Sequence, residues 1–424
     1  MAWQRAGEQA LSRCAYVEGL AHATAGLALI DKLPESPERL QQELTLHLMR
    51  AFALQIQHGF GGQEAAEAYH RADIVSRQLP VETPQRLVVL LGLWGVAMLR
   101  ARHQEARQLT LQCLDLAERF QRPAPLIRAH VAVGLTLFYM GDFRGCRSHL
   151  DIVNELYDPA RRHSHSNIQD PGVVSLANIA FALWFQGYPD QALAKSQAAL
   201  ARARDLEHPF TLAAALIHTA ALHHHRRESH KVAAAAEELL AMPTVKEFGF
   251  WFAAAQVFLG WGWLAADRVA AGIESIERGL HAYRATGSKL YLPYLLMLLA
   301  EGYRQANQNE AALSTLTEAL TLAEKSGENW SAAELYRQYG ELCLNLPTPR
   351  VEQAESCYHR AIAIARQQGA KTLELRSTVS LGHLWLKQGK ATLFDDCLTP
   401  LYSWFTEGHT TFDLQEARAA LERG

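Results

Sequence analysis

A small side chain returns about every 40 residues along this chain, at Gly7, Ala53, Gly134, Ala180, Ala220, Gly260, Ala300, Gly340 and Gly382, with Trp94 the one bulky exception. The successive spacings are 46, 41, 40, 46, 40, 40, 40, 40 and 42. A second site follows twelve residues after each anchor, usually small, as at Gly19, Ala106, Cys146, Gly272 and Ala312; only Ala354 falls at fourteen, next to the insertion that holds Pro347 and Pro349. Seven residues later comes a third site, as at Gly26, Cys113, Val153, Gly279 and Ala319. Seven residues are two helical turns, so the second and third sites share one helix face. Two helices approach closely only where side chains are short. The pattern therefore predicts about ten antiparallel helix hairpins, each of which must stack on its neighbours to bury its apolar face.

Such an array explains why 424 residues carry no Gly-, Pro- or Ser-rich linker and keep an apolar content of 49%. The expectation is one solenoid over 1–424, with 412–424 as a C-terminal capping helix. A net charge of -3 gives no electrostatic reason to expect nucleic acid or an acidic membrane. The six cysteines, Cys14, Cys113, Cys146, Cys343, Cys357 and Cys397, include no CxxC pair and read as small apolar residues in a reducing cytosol. The start lacks a secretory signal, so a cytoplasmic location is expected. The apolar run from Gly249 to Ala266 is in register with the repeat and reads as a buried solenoid helix, not a membrane span.

Ala300, Tyr303, Ala312, Leu316 and Ala319, with Gly260, Trp263, Ile276 and Gly279 and with Gly382, Trp385 and Gly389, resemble the tetratricopeptide repeat pattern. That resemblance implies an all-α, right-handed superhelical solenoid, although the period exceeds the family's 34 residues. Three stretches resemble a narrower family. They are Tyr157-Asp158-Pro159 through His163 and His165 to Gln169-Asp170-Pro171-Gly172-Val173, then Leu222-His223 with Arg226-Arg227-Glu228, and then Trp404-Phe405-Thr406-Glu407-Gly408 with Asp413-Leu414-Gln415-Glu416-Ala417. These are similar to the repeat-bearing C-terminal region of bacterial proteins in which a class III adenylate/guanylate cyclase or kinase module and a STAND-type signalling ATPase come first. The resemblance implies a regulatory region separated from those modules.

No phosphate-binding Gly-rich loop and no HExxH is present, and no nucleophile stands beside an oriented base, so the chain reads as non-catalytic and without a cofactor. His218, His223, His224, His225 and His230 cluster in sequence, but consecutive helical residues point apart, and no metal site is expected; the same holds for His163 and His165. Asp170 and Pro171 read as the cap and first residue of a helix.

In tetratricopeptide hairpins the first helix lines the inner groove. Carrying its groove positions over selects Arg128, Phe138, Tyr139, Phe181, Trp184, Phe185, His224, His225, Trp261, Glu301, Arg304, Arg337 and Glu341. Two readings stay open for the aromatics: an open surface that grips a ligand, or the filling of a tightly wound interior. The expected function is a sensor or scaffold that binds a protein segment or small ligand in the groove and signals to ATPase and cyclase or kinase modules. The alternative is a structural module that forms homo-oligomers without a ligand.

Overall fold

The computed structural model describes residues 2–13, 15–30, 32–57, 62–80, 83–159 and 169–422. These hold twenty-one α-helices and no strand. The odd-numbered members, which open the ten hairpins, are α1 (Ala2–Ser12), α3 (Pro37–Gln57), α5 (Pro84–Leu99), α7 (Pro123–Met140), α9 (Pro171–Gln186), α11 (Pro209–His225), α13 (Gly249–Leu264), α15 (Leu292–Gln305), α17 (Ala332–Leu344) and α19 (Lys371–Lys387). Their partners are α2 (Tyr16–Ile30), α4 (Gln63–Gln78), α6 (His103–Phe120), α8 (Phe143–Leu156), α10 (Pro189–Asp205), α12 (Ser229–Leu240), α14 (Val269–Ala285), α16 (Asn309–Ser326), α18 (Val351–Gln368) and α20 (Ala391–Ser403). A last helix, α21 (Phe412–Leu421), packs on α19 and α20.

The helix boundaries follow local chemistry. Pro84, Pro123, Pro171 and Pro209 open their helices, where a missing N–H costs nothing. Asp170 accepts from the Val173 backbone N–H at 3.0 Å, the cap its spacing predicts, and Asp142 does the same for Gly145 at 2.8 Å. Across each hairpin the small anchors meet the second sites. A Cβ on Gly260 would lie 2.6 Å from the Gly272 carbonyl oxygen, and one on Gly279 would lie 2.8 Å from that of Ala253, so α13 and α14 pack backbone to backbone. The apolar run from Gly249 is α13 itself, and no helix among the described residues is long and apolar enough to cross a membrane.

What the repeat does not specify is how tightly the array winds. The Leu99 carbonyl, at the end of α5, accepts from the Lys289 and Leu290 amides at 2.7 and 3.2 Å. The Tyr139 carbonyl, ending α7, accepts from Asn329 and Trp330 at 2.9 and 3.3 Å. The Trp184 carbonyl in α9 takes the Thr372 hydroxyl at 2.6 Å, and that of His225 in α11 takes the Arg376 guanidinium. Each contact joins one hairpin to another four or five units on, so the array closes on itself after about five hairpins.

The C-terminal end is fastened to the same seam. Glu407 accepts from the Asp190 and Gln191 amides at 3.0 and 3.1 Å, capping α10 from more than two hundred residues away, and Asp190 accepts from the Gly408 amide at 2.9 Å. Gly187 (φ +95°) and Gly408 (φ +76°) permit this contact, because a Cβ on the first would strike Trp404 and one on the second would strike Pro189.

Candidate functional site

The winding divides the inner surface into a packed centre and two cavities. In the centre Phe138, Phe181, Trp184 and Phe185 are each 1% exposed. Phe143 and Phe185 stack at 4.5 Å, Trp184 stacks on His225 at 4.6 Å, and Phe138 meets Trp330, which arrives from the following superhelical turn, at 5.5 Å. Of the two readings open for these aromatics, the filled interior is the one observed. The reason is geometric: the inner ends of α7, α9 and α11 face the starts of α17 and α19 across the seam, leaving no open groove between them. His225 belongs to this centre; burial, then His224 and Arg376, press its pKa well below that of a free imidazole, so it is neutral.

The first cavity measures about 670 Å³ and is lined mainly by the inward faces of the first helices of hairpins one to seven, with Tyr69 of α4 and Tyr283 of α14 added from second helices. Its wall is mostly apolar, including Leu48 and Phe52 on α3, Leu91 and Trp94 on α5, Leu135 and Tyr139 on α7 and Trp251 on α13. Trp94, the bulky exception to the repeat, lines this space and donates its indole N–H to the Thr136 hydroxyl at 2.8 Å. A few polar groups interrupt the wall. The Tyr69 hydroxyl donates to Gln55 Oε1 at 3.0 Å, and Arg128 reaches the cavity from α7. His218 also lines it, its Nδ1 2.7 Å from the Ala214 carbonyl, with a pKa lowered by burial.

The second cavity, about 480 Å³, gathers His224, Trp261, Glu301, Arg304, Arg337 and Glu341 from the predicted set. Its chemistry is ionic, with most of its buried charges paired to one another. Trp261 and Gln338 each donate to Glu301 at 2.6 Å. Burial opposes ionisation of Glu301, but the adjacent His224 and these two donors outweigh it and hold its carboxyl at about 2. Arg337 donates to Glu334 at 3.0 and 2.5 Å and also pairs with Glu341. Arg376 joins Glu334 at 3.8 Å to Asp413 of α21 at 2.8 Å, and Arg227 reaches Asp413 at 3.4 Å and Glu416 at 3.7 Å. Against the cost of burial, Arg337 and Arg376 keep the Glu334 carboxyl well below the usual range. Arg304 alone of the predicted set is exposed.

Two of the three quoted motifs thus meet in space. Arg226 donates to the Pro189 carbonyl at 2.9 Å, Arg227 pairs with α21, and the Trp404–Gly408 loop caps α10. The helix from 412, expected as a cap, carries a buried acid, Asp413, into the ionic network. In the first motif Tyr157 donates to Asp170 at 2.8 Å, while His163 and His165 lie outside the described residues, as does Cys14. The remaining histidines diverge: His223 pairs with Glu228 at 2.5 Å, His224 with Tyr294 at 2.7 Å, and His230 is exposed. Among the described residues no group of three or more His, Cys, Asp or Glu is placed to hold a metal ion. The groove register did not select Gln55, Tyr69, Glu334, Arg376 or Asp413. Gln55 carried a signal, as the single polar residue in the run from Ala51 to Ile56.

No protein-family model matches the chain, and neither does any curated protein. Among solved structures it is similar to a Rap protein complexed with competence and sporulation factor, at 14% identity and a TM-score of 0.63, over 87% of this chain and 97% of that one. The quorum sensor NprR from B. thuringiensis, in its apo form, aligns at 12% identity and a TM-score of 0.49, over 86% and 99%. The Cut9 and Hcn1 hetero-tetramer of APC/C aligns at 12% and 0.48, over 100% and 95%. At such identities the likeness to Rap speaks for the fold, and the chain is an all-helical, tetratricopeptide-like superhelical solenoid.

Proposed function

We propose that this chain is a cytoplasmic, non-catalytic binding module that takes a protein segment or a small ligand on the inner side of its solenoid and, beside ATPase and cyclase or kinase modules, reports occupancy to them. The observation that carries the reading is the first cavity: about 670 Å³ of mostly apolar space framed by seven first helices, within the range of roughly 300–1,000 Å³ typical of ligand clefts. The complex of Rap with competence and sporulation factor supports a binding role by analogy of fold. Transmission is supported by the seam, since Leu99 and Tyr139, at the edge of that cavity, bond the loops that start hairpins eight and nine.

Native mass spectrometry of the protein as purified from its cells tests the reading. Retained mass on the monomer, lost when Leu91→Trp and Leu135→Trp fill the cavity, is the expected result. A bare protein, with no partner captured by cross-linking at the same residues, would sink it.

Self-association has one observation of its own. Val17, Leu29 and Leu33, on and just after α2, are apolar side chains 75%, 46% and 48% exposed in the first hairpin. Light scattering should then report a defined oligomer that Val17→Glu with Leu29→Glu converts to monomer; an unaffected oligomer, or none, disposes of this second reading.

A further inference from the structure

The first cavity contains an unmatched cation. Arg128 lines it and makes no hydrogen bond or ion pair among the described residues. The groups acting on it are the Tyr69 hydroxyl and the Cys113 thiol, and both are neutral: burial raises the first above its ordinary range and lifts the second to about 12. Arg128 is half-buried on the cavity wall, whereas the fully buried Arg337 and Arg376 are each joined to carboxylates. A guanidinium left among apolar walls without a counter-charge is costly, and proteins avoid it unless something else supplies the charge.

A second donor opens on the same space. Gln55 is 3% exposed, its Oε1 is committed to Tyr69, and its amide nitrogen has no acceptor among the described residues. At Gly95 the α5 wall is bare: within 4 Å of the place a Cβ would occupy there is only that Gln55 nitrogen, at 3.9 Å. Two donor groups, a charged fork and a neutral amide, therefore open on one otherwise apolar cavity, Gln55 bonded to Tyr69 and Arg128 within electrostatic reach of it.

On the reading that this cavity is the ligand site, we propose that its occupant is a small amphiphile with one carboxylate, the acid held by Arg128 and Gln55 and the apolar body lying against Leu91, Trp94 and Leu135. A carboxylate suits a guanidinium in two-point geometry and supplies the negative charge that Arg128 lacks; Glu8, the one acid on the described lining, is exposed and is not among the groups acting on Arg128. A neutral apolar ligand would leave Arg128 unmatched, and a polyanion would find no further cation among the cavity's described lining.

The test uses the full chain and three matched probe series, n-alkyl carboxylates of eight to eighteen carbons, their methyl esters and the corresponding amines, with binding followed by calorimetry and by the fluorescence of Trp94 and Trp251. The carboxylates should bind one to one and exceed their esters by about ten- to a hundredfold. Arg128→Leu should erase that preference while leaving ester binding intact, and Arg128→Lys should restore part of it; circular dichroism verifies that both variants fold. Equal binding of acid and ester to the unmodified protein overturns the assignment but keeps the cavity as a ligand site. So does a short apolar peptide acid that binds where no alkyl carboxylate does. Failure of all three series to occupy the cavity sinks both the carboxylate and the cavity reading on which it rests.

Discussion

The two cavities are built from the same repeat positions, the inward faces of first helices, and have opposite chemistry. The first is apolar and contains one cation without a partner; the second is ionic, and its buried charges answer one another from α15, α17, α19 and α21. A buried charge is tolerable only when matched. The second cavity's buried charges pair with one another and join the last hairpins to the C-terminal helix, whereas Arg128, half-buried on the wall of the first, has no acidic partner among the described residues. Four of the residues that looked most like a binding surface in sequence, Phe138 of α7 and Phe181, Trp184 and Phe185 of α9, belong to neither.

The sharpest way to break this contrast is to delete one charge on each side. Glu334→Ala leaves Arg337 with Glu341 and Arg376 with Asp413 as their remaining acidic partners, and should lower stability by about 1–3 kcal/mol in denaturant unfolding. Arg128→Leu should leave stability within about 0.5 kcal/mol of the parent or raise it. A comparable loss for both would mean that Arg128 has an internal partner role and that the contrast is false.

Acid provides a smaller and more selective effect. Glu301 is held at about 2, below an ordinary carboxyl, so it stabilises the fold above the unfolded-state pKa, and that contribution is lost as pH falls from about 4.3 toward 2. Thermal unfolding followed across this window should therefore be less acid-sensitive in Glu301→Gln than in the parent. An identical decline would show that the ionic cavity is not what acid attacks.

The smallest effect is expected at Arg304, which lines the second cavity but is exposed. Arg304→Ala should change stability by no more than about 0.5 kcal/mol. A larger loss would extend the ionic network to the rim and sharpen its boundary.

How much of this could be read from the chain depends on the distance over which each feature is decided. The hairpins were legible because a short side chain at a helix crossing is a local steric demand; Gly260, Gly272 and Gly279 state it directly, and α13 and α14 obey it. The winding was not, because it is fixed by pairs such as Leu99 with Lys289 and Tyr139 with Trp330, whose separation no periodicity reports. That one missing quantity decided whether Phe181 and Trp184 would face solvent or each other. Arg128 stood in the predicted inward register, yet its meaning rested on the absence of a carboxylate nearby, which only three dimensions reveal.

The cap that Glu407 places on α10 bears on how the chain reaches this state. In an ordinary solenoid each unit needs only its neighbour, so folding nucleates anywhere and spreads. Here the start of α10 gains its acceptor, and the carbonyls ending α5 and α7 their donors, only after roughly half the chain has been brought back to them. Non-local contacts of this kind demand loop closure before they stabilise anything, and they slow folding. The array should therefore acquire its last stability in one concerted step, when the second superhelical turn docks on the first, rather than hairpin by hairpin.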